Sequence, residues 1–252
     1  MNDFLDLDQT LDCGQAFRWT KVDGIWQGIA SGQKLSVKQD NIEPIKENPF
    51  WSHYFDLDTD YLTIKNKLIR ISPIMELAIN FSPGIRILNQ DPWEMVISFI
   101  LSQYNNISRI KSMVNNLCQI TNPTTLNFPT PNQLLALNPE KLNSLKFGFR
   151  DKYVLDGARK INEGRVDLEY IKTLSIEEAE KELEKIVGVG KKVAACILLF
   201  GFHRFDSFPV DIWIKRAMDK WFDGQTGEKV FGPYAGIAQQ YLFNFIRNGL
   251  NT

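Results

Sequence analysis

The sequence predicts an α+β fold, with an N-terminal antiparallel β-sheet domain followed by a larger, mostly α-helical domain. Three observations predict it. Residues 16–39, "AFRWTKVDGIWQGIASGQKLSVKQ", alternate apolar and polar residues around two turn signals, Asp23-Gly24 and Ser31-Gly32. Beyond Ser82-Pro83-Gly84, apolar residues recur mostly at helical spacing. The chain of 252 residues, 44% hydrophobic and 23% charged, is long enough to bury a sizeable core. The division falls at residues 1–82 and 83–252.

Each element has its own signal. The alternating stretch reads as an antiparallel meander, after which "DTDYLTIKNKLI" turns helical, with Tyr61, Ile64 and Leu68 on one face. "NFSPGIR" breaks any helix. "DPWEMVISFILSQYNNISRIKSMVNNLCQI" supplies two helices joined by a polar corner at Gln103–Asn106, the first capped by Asp91 and opened by Pro92. "TNPTTLNFPTPNQL" is a proline-punctuated loop leading into a short helix, and "FGFRDKYVLDGARKINEG" is a turn feeding a helix that stops at Gly164. "SIEEAEKELEKIVGVGKKVAACILLFGF" reads as helix, tight turn, helix, started by Ser175 with acidic residues in its first turn. "FPVDIWIKRAMDKWF" and "GPYAGIAQQYLFNFIRN" give two further helices.

Composition excludes several function classes. No apolar run approaches the ~20 residues needed to span a bilayer. The acidic start "MNDFLDLDQT" has neither the basic region nor the apolar core of a signal peptide, so the protein is expected in the cytoplasm. Cys13, Cys118 and Cys196 are odd in number and widely spaced, which argues against disulfides and against four-cysteine iron–sulfur or zinc sites. With only His53 and His203, a histidine-centred metal site or triad is disfavoured. The net charge of -1 leaves nucleic-acid binding to a local basic face.

The stretch "IVGVGKKVAACILLF" at 186–200 carries the chemistry. It is no Walker loop: five residues before Gly190 stands Lys185, and Lys192 follows Lys191 where Ser or Thr is required. A charged helix rather than a buried strand precedes it, which also excludes a dinucleotide fingerprint. What remains is a hairpin whose glycines reverse the chain and leave N–H groups at the second helix's start facing outward, suited to a phosphate oxygen and blind to base sequence. The same residues also fit a plain hairpin joining two core helices. Lys192 lies in that first turn, where the positive end of the helix dipole favours the uncharged amine that Schiff-base chemistry needs. A solvated lysine is the alternative. In "SFPVDIWIKRAM", Asp211 is placed as the N-cap of an amphipathic helix, so hairpin, lysine and capping carboxylate follow one another in order.

At these residues the sequence resembles the helix-hairpin-helix (HhH-GPD) DNA glycosylase superfamily, most of all its 8-oxoguanine DNA glycosylase/AP lyase branch of bacterial type. "CGQAFRW" at 13–19, "SPGIRILNQDPWEMVISFILSQYNNISRI" at 82–110, "FGFRDKYV" at 147–154, "VGVGKKVAACI" at 187–197, "FPVDIW" at 208–213 and "YAGIAQQYLF" at 234–243 carry it. The resemblance implies that Lys192 attacks C1′ and forms an imine. It also implies that Asp211 stabilises positive charge on the sugar and orients the lysine. The Gly14 carbonyl would accept the N7–H that 8-oxoguanine has and guanine lacks. Gln239 would bond the pairing edge, with Cys196 and Phe243 sandwiching the ring. Arg109 and Arg150 would face the opposite base and Phe149 would wedge into the stack. Gly188, Gly190 and Val193 would present N–H groups to phosphate, with a monovalent cation on nearby hairpin carbonyls. No other cofactor is implied.

Two positions depart from the family pattern. Three asparagines are usual where this chain reads Tyr104-Asn105-Asn106, the first of them entering the hole left by the flipped base. Trp213 stands where some members place a histidine near the 5′ phosphate, and its indole N–H donates one bond without charge. The implied activity is excision of 8-oxoguanine through a lysine Schiff base, then strand cleavage by β-elimination. The partner would be double-stranded DNA containing 8-oxoguanine, with no membrane, and the enzyme a monomer held at the nucleoid through DNA. Two rivals stay open: a monofunctional glycosylase for another damaged purine, and a non-catalytic DNA-binding module.

Overall fold

The computed structural model describes residues 4–249. The sheet has three strands in the order β1 (Trp19–Val22), β2 (Ile25–Ala30), β3 (Gln33–Val37), with Trp19 opposite Gly28 and Val22 opposite Ile25. Asp23-Gly24 and Ser31-Gly32 both take positive φ at their two positions, the two-residue hairpin geometry that matches the twist of the strands. All the remaining elements are helices or single helical turns.

The chain forms two compact units, each assembled from separated segments. One comprises residues 17–36 and 90–202, so the sheet is grouped in space with the helices of the chain's middle rather than with the rest of residues 1–82. Its centre is two helices that are apolar nearly all round, Pro92–Ser102 and Lys191–Gly201. Phe99 of the first stacks on Phe200 of the second at 5.4 Å, and Phe17 meets Phe99 edge-on at 5.7 Å. The sheet is tied in by Arg18, which lies 3.3 Å from the Glu94 carboxylate and donates to the Leu126 carbonyl. Asp91 caps the Pro92–Ser102 helix through Glu94 N at 2.8 Å, and Asn106 caps Ile107–Thr121 through Arg109 N at 2.9 Å.

The other unit comprises residues 4–16, 37–89 and 203–249 of the described chain. A buried polar web holds its segments together. Gln15 donates to the Thr10 and Arg86 carbonyls and accepts from Leu88 N, while Tyr61 donates to Asp56 and accepts from Ile87 N. The helix Ala235–Asn244, buried over most of its length, continues as a π turn over Phe245–Gly249. No helix among the described residues is long and apolar enough to cross a membrane.

Candidate active site and nucleic-acid interface

The hairpin is built by local rules. Ser175 and Glu178 form a reciprocal capping box that starts the Ile176–Leu183 helix. The chain then tightens, with Ile186 N donating to Leu183 O and Val189 N to Ile186 O, both at 3.0 Å. Gly188 has φ +86°, and a Cβ there would lie 2.4 Å from the Tyr153 ring, so only glycine fits. Gly190 caps the Lys191–Gly201 helix without any side-chain acceptor, and the space beside its Cα is open. The first N–H groups of that helix therefore face an open approach, with the dipole's positive end behind them. Asp156 braces the turn from outside: its Oδ2 accepts from Val187 N at 2.7 Å and Lys160 Nζ at 2.8 Å. Burial pulls this carboxyl up, but the bonds from Lys160 and Val187 outweigh it and hold it below the usual range.

Lys192 is exposed, with Nζ 6.0 Å from the centroid of Phe99, a ring that itself packs against Phe17 and Phe200. Cys196 lies one turn further on and is buried, as is the Val193 side chain. In the same unit, Tyr104 sits on the corner between two helices with φ +48° and is 95% exposed. Its ring meets that of half-exposed Phe149 at 6.4 Å. Arg109 and Asn106 are exposed, although the Asn106 side chain is occupied as a cap. Arg150 is buried and bonded to main chain: Nε donates to Gln103 O at 2.9 Å, Nη1 to Phe147 O at 3.1 Å, and Nη2 to the Gln103 and Tyr104 carbonyls. Burial, with Arg109's charge nearby, holds the Arg150 guanidinium below its ordinary pKa.

The second unit carries Gly14, Asp211, Trp213, Gln239 and Phe243. Asp211 caps the Ile212–Trp221 helix, its Oδ1 accepting from Ile214 N at 2.8 Å. Val210, Ile212 and Trp213 around it are exposed apolar residues, and the Arg216 guanidinium lies 5.5 Å from the Trp213 ring. Gly14, at φ +89°, is held between two fixed neighbours: Cys13 O accepts from Gln240 Nε2 at 3.0 Å, and Gln15 is locked in the polar web. Gln239 and Phe243 are one turn apart on Ala235–Asn244. Gln239 is buried, and its Oε1 has no hydrogen-bond partner among the described residues.

Residues 2–96 match the family model described as the 8-oxoguanine DNA glycosylase N-terminal domain, and residues 97–230 match the HhH-GPD superfamily of base excision DNA repair proteins. The chain belongs to the HhH-GPD superfamily. The N-glycosylase/DNA lyase of Saccharomyces cerevisiae is 34% identical over 84% of this chain and 67% of its own. A probable N-glycosylase/DNA lyase of Methanothermobacter thermautotrophicus is 26% identical over 96% of this chain and 93% of its own. Among solved structures, Clostridium acetobutylicum 8-oxoguanine glycosylase/lyase, bound to dsDNA with cytosine opposite 8-oxoG, superposes with TM-score 0.86 at 36% identity. That superposition covers 98% of this chain and 93% of the other.

Within this HhH-GPD chain, two features escape sequence reasoning. The Asp156 brace has a local signal, the Asp156–Lys160 spacing on one helix face, but its bond to Val187 is invisible until the hairpin is folded. Arg150's attachment to the Gln103–Tyr104 corner spans more than forty residues and has no sequence signal.

Proposed function

We propose that this chain is a bifunctional DNA glycosylase and AP lyase that removes 8-oxoguanine from duplex DNA and then cleaves the abasic strand. The observation that carries the reading is Lys192, an exposed amine in the first turn of a helix whose N-terminus is left open by Gly190. The open N–H groups would hold a DNA phosphate, which brings the sugar to the lysine. Lys192 Nζ attacks C1′ as the glycosidic bond breaks and the base departs with the bonding electrons. The attacking nitrogen gives up a proton and the sugar ring opens at C1′–O4′, with O4′ protonated, to leave an imine. This acidifies the C2′ hydrogen, and loss of that proton expels the 3′ phosphate. Asp211, its Oδ1 engaged by Ile214 N and its negative charge fixed at a helix start, is assigned to the positive charge developing on the sugar.

Base recognition is assigned to Gly14, Gln239, Cys196 and Phe243. A buried amide oxygen without a partner costs about 1–3 kcal/mol, and the Gln239 Oε1 would recover this from an N–H on the base's pairing edge. Among the described residues no donor takes the Gly14 carbonyl, which leaves it for the N7–H of 8-oxoguanine. The flipped ring would stack on Phe243 and Cys196, offsetting part of the unstacking cost of roughly a few kcal/mol. A monovalent cation is assigned to hairpin carbonyls other than that of Lys185, which accepts from the Lys160 ammonium. The protein would act as a monomer on nucleoid DNA in the cytoplasm.

Incubation with an 8-oxoguanine duplex tests the assignment without any added alkali. The reading predicts a nicked strand ending in the unsaturated sugar of β-elimination. Base release from an intact strand would favour a monofunctional glycosylase, and no release would favour a binding module.

A further inference from the structure

Tyr104 is held in a conformation that its own chemistry disfavours. A left-handed φ of +48° costs a tyrosine about 1–2 kcal/mol, and outliers of this kind gather where a side chain has to be aimed. Everything around it is fixed. Asn105 Nδ2 donates to Leu101 O at 3.0 Å, Asn106 caps the next helix, and the buried Arg150 guanidinium holds the carbonyls of Gln103 and Tyr104. The ring itself is 95% exposed and meets the Phe149 ring edge-on, with centroids 6.4 Å apart. Phe149 is backed by Arg150 at 4.4 Å and by Tyr153 at 6.0 Å, and Tyr153 in turn lies against Gly188 of the hairpin turn. A rigid ridge of two exposed aromatic rings thus stands beside the phosphate-binding turn, with Arg109 and Lys152 supplying positive charge.

We propose that Tyr104 and Phe149 act as a paired aromatic wedge and that Tyr104 contacts the unpaired base opposite the lesion by stacking. The inference rests on the functional reading above. Removing one nucleotide from a strand opens a gap of roughly two 3.4 Å base steps, a span comparable to the 6.4 Å between the two ring centroids. The rings are inclined at 64°, so they cannot both lie flat in one gap. One enters the stack while the other covers the orphaned base. Phe149, backed on two sides, is the intercalating ring, and Tyr104 is the covering one. Because every base has a π-face, this contact does not depend on which base faces the lesion. Polar reading of that base falls to Arg109, because Arg150 is buried and bonded to the Gln103, Tyr104 and Phe147 carbonyls.

Binding to duplexes carrying a tetrahydrofuran abasic analogue opposite each of the four bases tests this, with 2-aminopurine at the opposite position as a stacking probe. Tyr104→Ala should weaken binding about 5- to 100-fold, by a similar factor whichever base lies opposite, and should release the quenching of 2-aminopurine. Tyr104→Phe, which keeps the ring, should restore both. Losses of Tyr104→Ala and Phe149→Ala should be non-additive in the double variant. A loss confined to one opposite base, an equal loss in Tyr104→Phe, or unchanged quenching in Tyr104→Ala would each overturn the stacking role. If the parent shows no preference for the abasic analogue over undamaged duplex, the functional reading itself falls.

Discussion

Glu94 is a buried carboxyl whose charge sits uneasily in this fold. Burial pushes its carboxyl up to about 7, and the Arg18 guanidinium at 3.3 Å opposes the shift without cancelling it. The folded-state value lies above the ordinary 4.5, so between pH 4.5 and about 7 the native protein holds a proton that the unfolded chain has released. Stability from this group is therefore greatest below pH 4.5 and falls as pH rises through that window, by about 3 kcal/mol. Urea unfolding at pH 5 and pH 7.5 measures the fall, and Glu94→Gln should flatten it. The same slope in parent and variant would remove Glu94 as its source. The buried thiols of Cys13 and Cys118, raised by burial to about 11 and about 12, stay protonated across this range.

At the scale of elements, the hairpin turn separates stability from binding at two glycines. Gly188 is constrained by its own φ and by the Tyr153 ring, so Gly188→Ala should cost about 2–3 kcal/mol in urea unfolding. Gly190 has an ordinary φ and open space at its Cα, so Gly190→Ala should cost at most about 1 kcal/mol as a weaker cap. Its added methyl would instead stand between the helix N–H groups and a phosphate, so duplex affinity should drop more than stability does. Equal effects of both substitutions on stability would contradict this division. Much of this element was legible in sequence because its signals are local: the Ser175 cap, the glycine turn, and Asp211 and Asp91 before their helices. The one-turn helices Glu43–Lys46 and Leu168–Ile171 were not, since four residues carry no periodicity. The Arg150 brace was illegible for a different reason, because only folding brings residue 150 against the carbonyls of 103 and 104.

At the scale of the whole molecule, each compact unit is stitched from segments far apart in sequence. Of the positions assigned to base recognition, Gly14, Gln239 and Phe243 belong to one unit and Cys196 to the other, which also carries Lys192. The order of the sheet and helices followed from alternation and helical periodicity. Their grouping in space did not, because no sequence signal says that residues 17–36 pack with residues 90–202. The assigned chemistry converges on one atom, the Lys192 amine, and one measurement reaches it directly. Incubation with duplex 8-oxoguanine DNA and borohydride should trap a covalent protein–DNA adduct from the parent and none from Lys192→Gln. Absence of an adduct from the parent, or an equal yield from Lys192→Gln, would contradict the account.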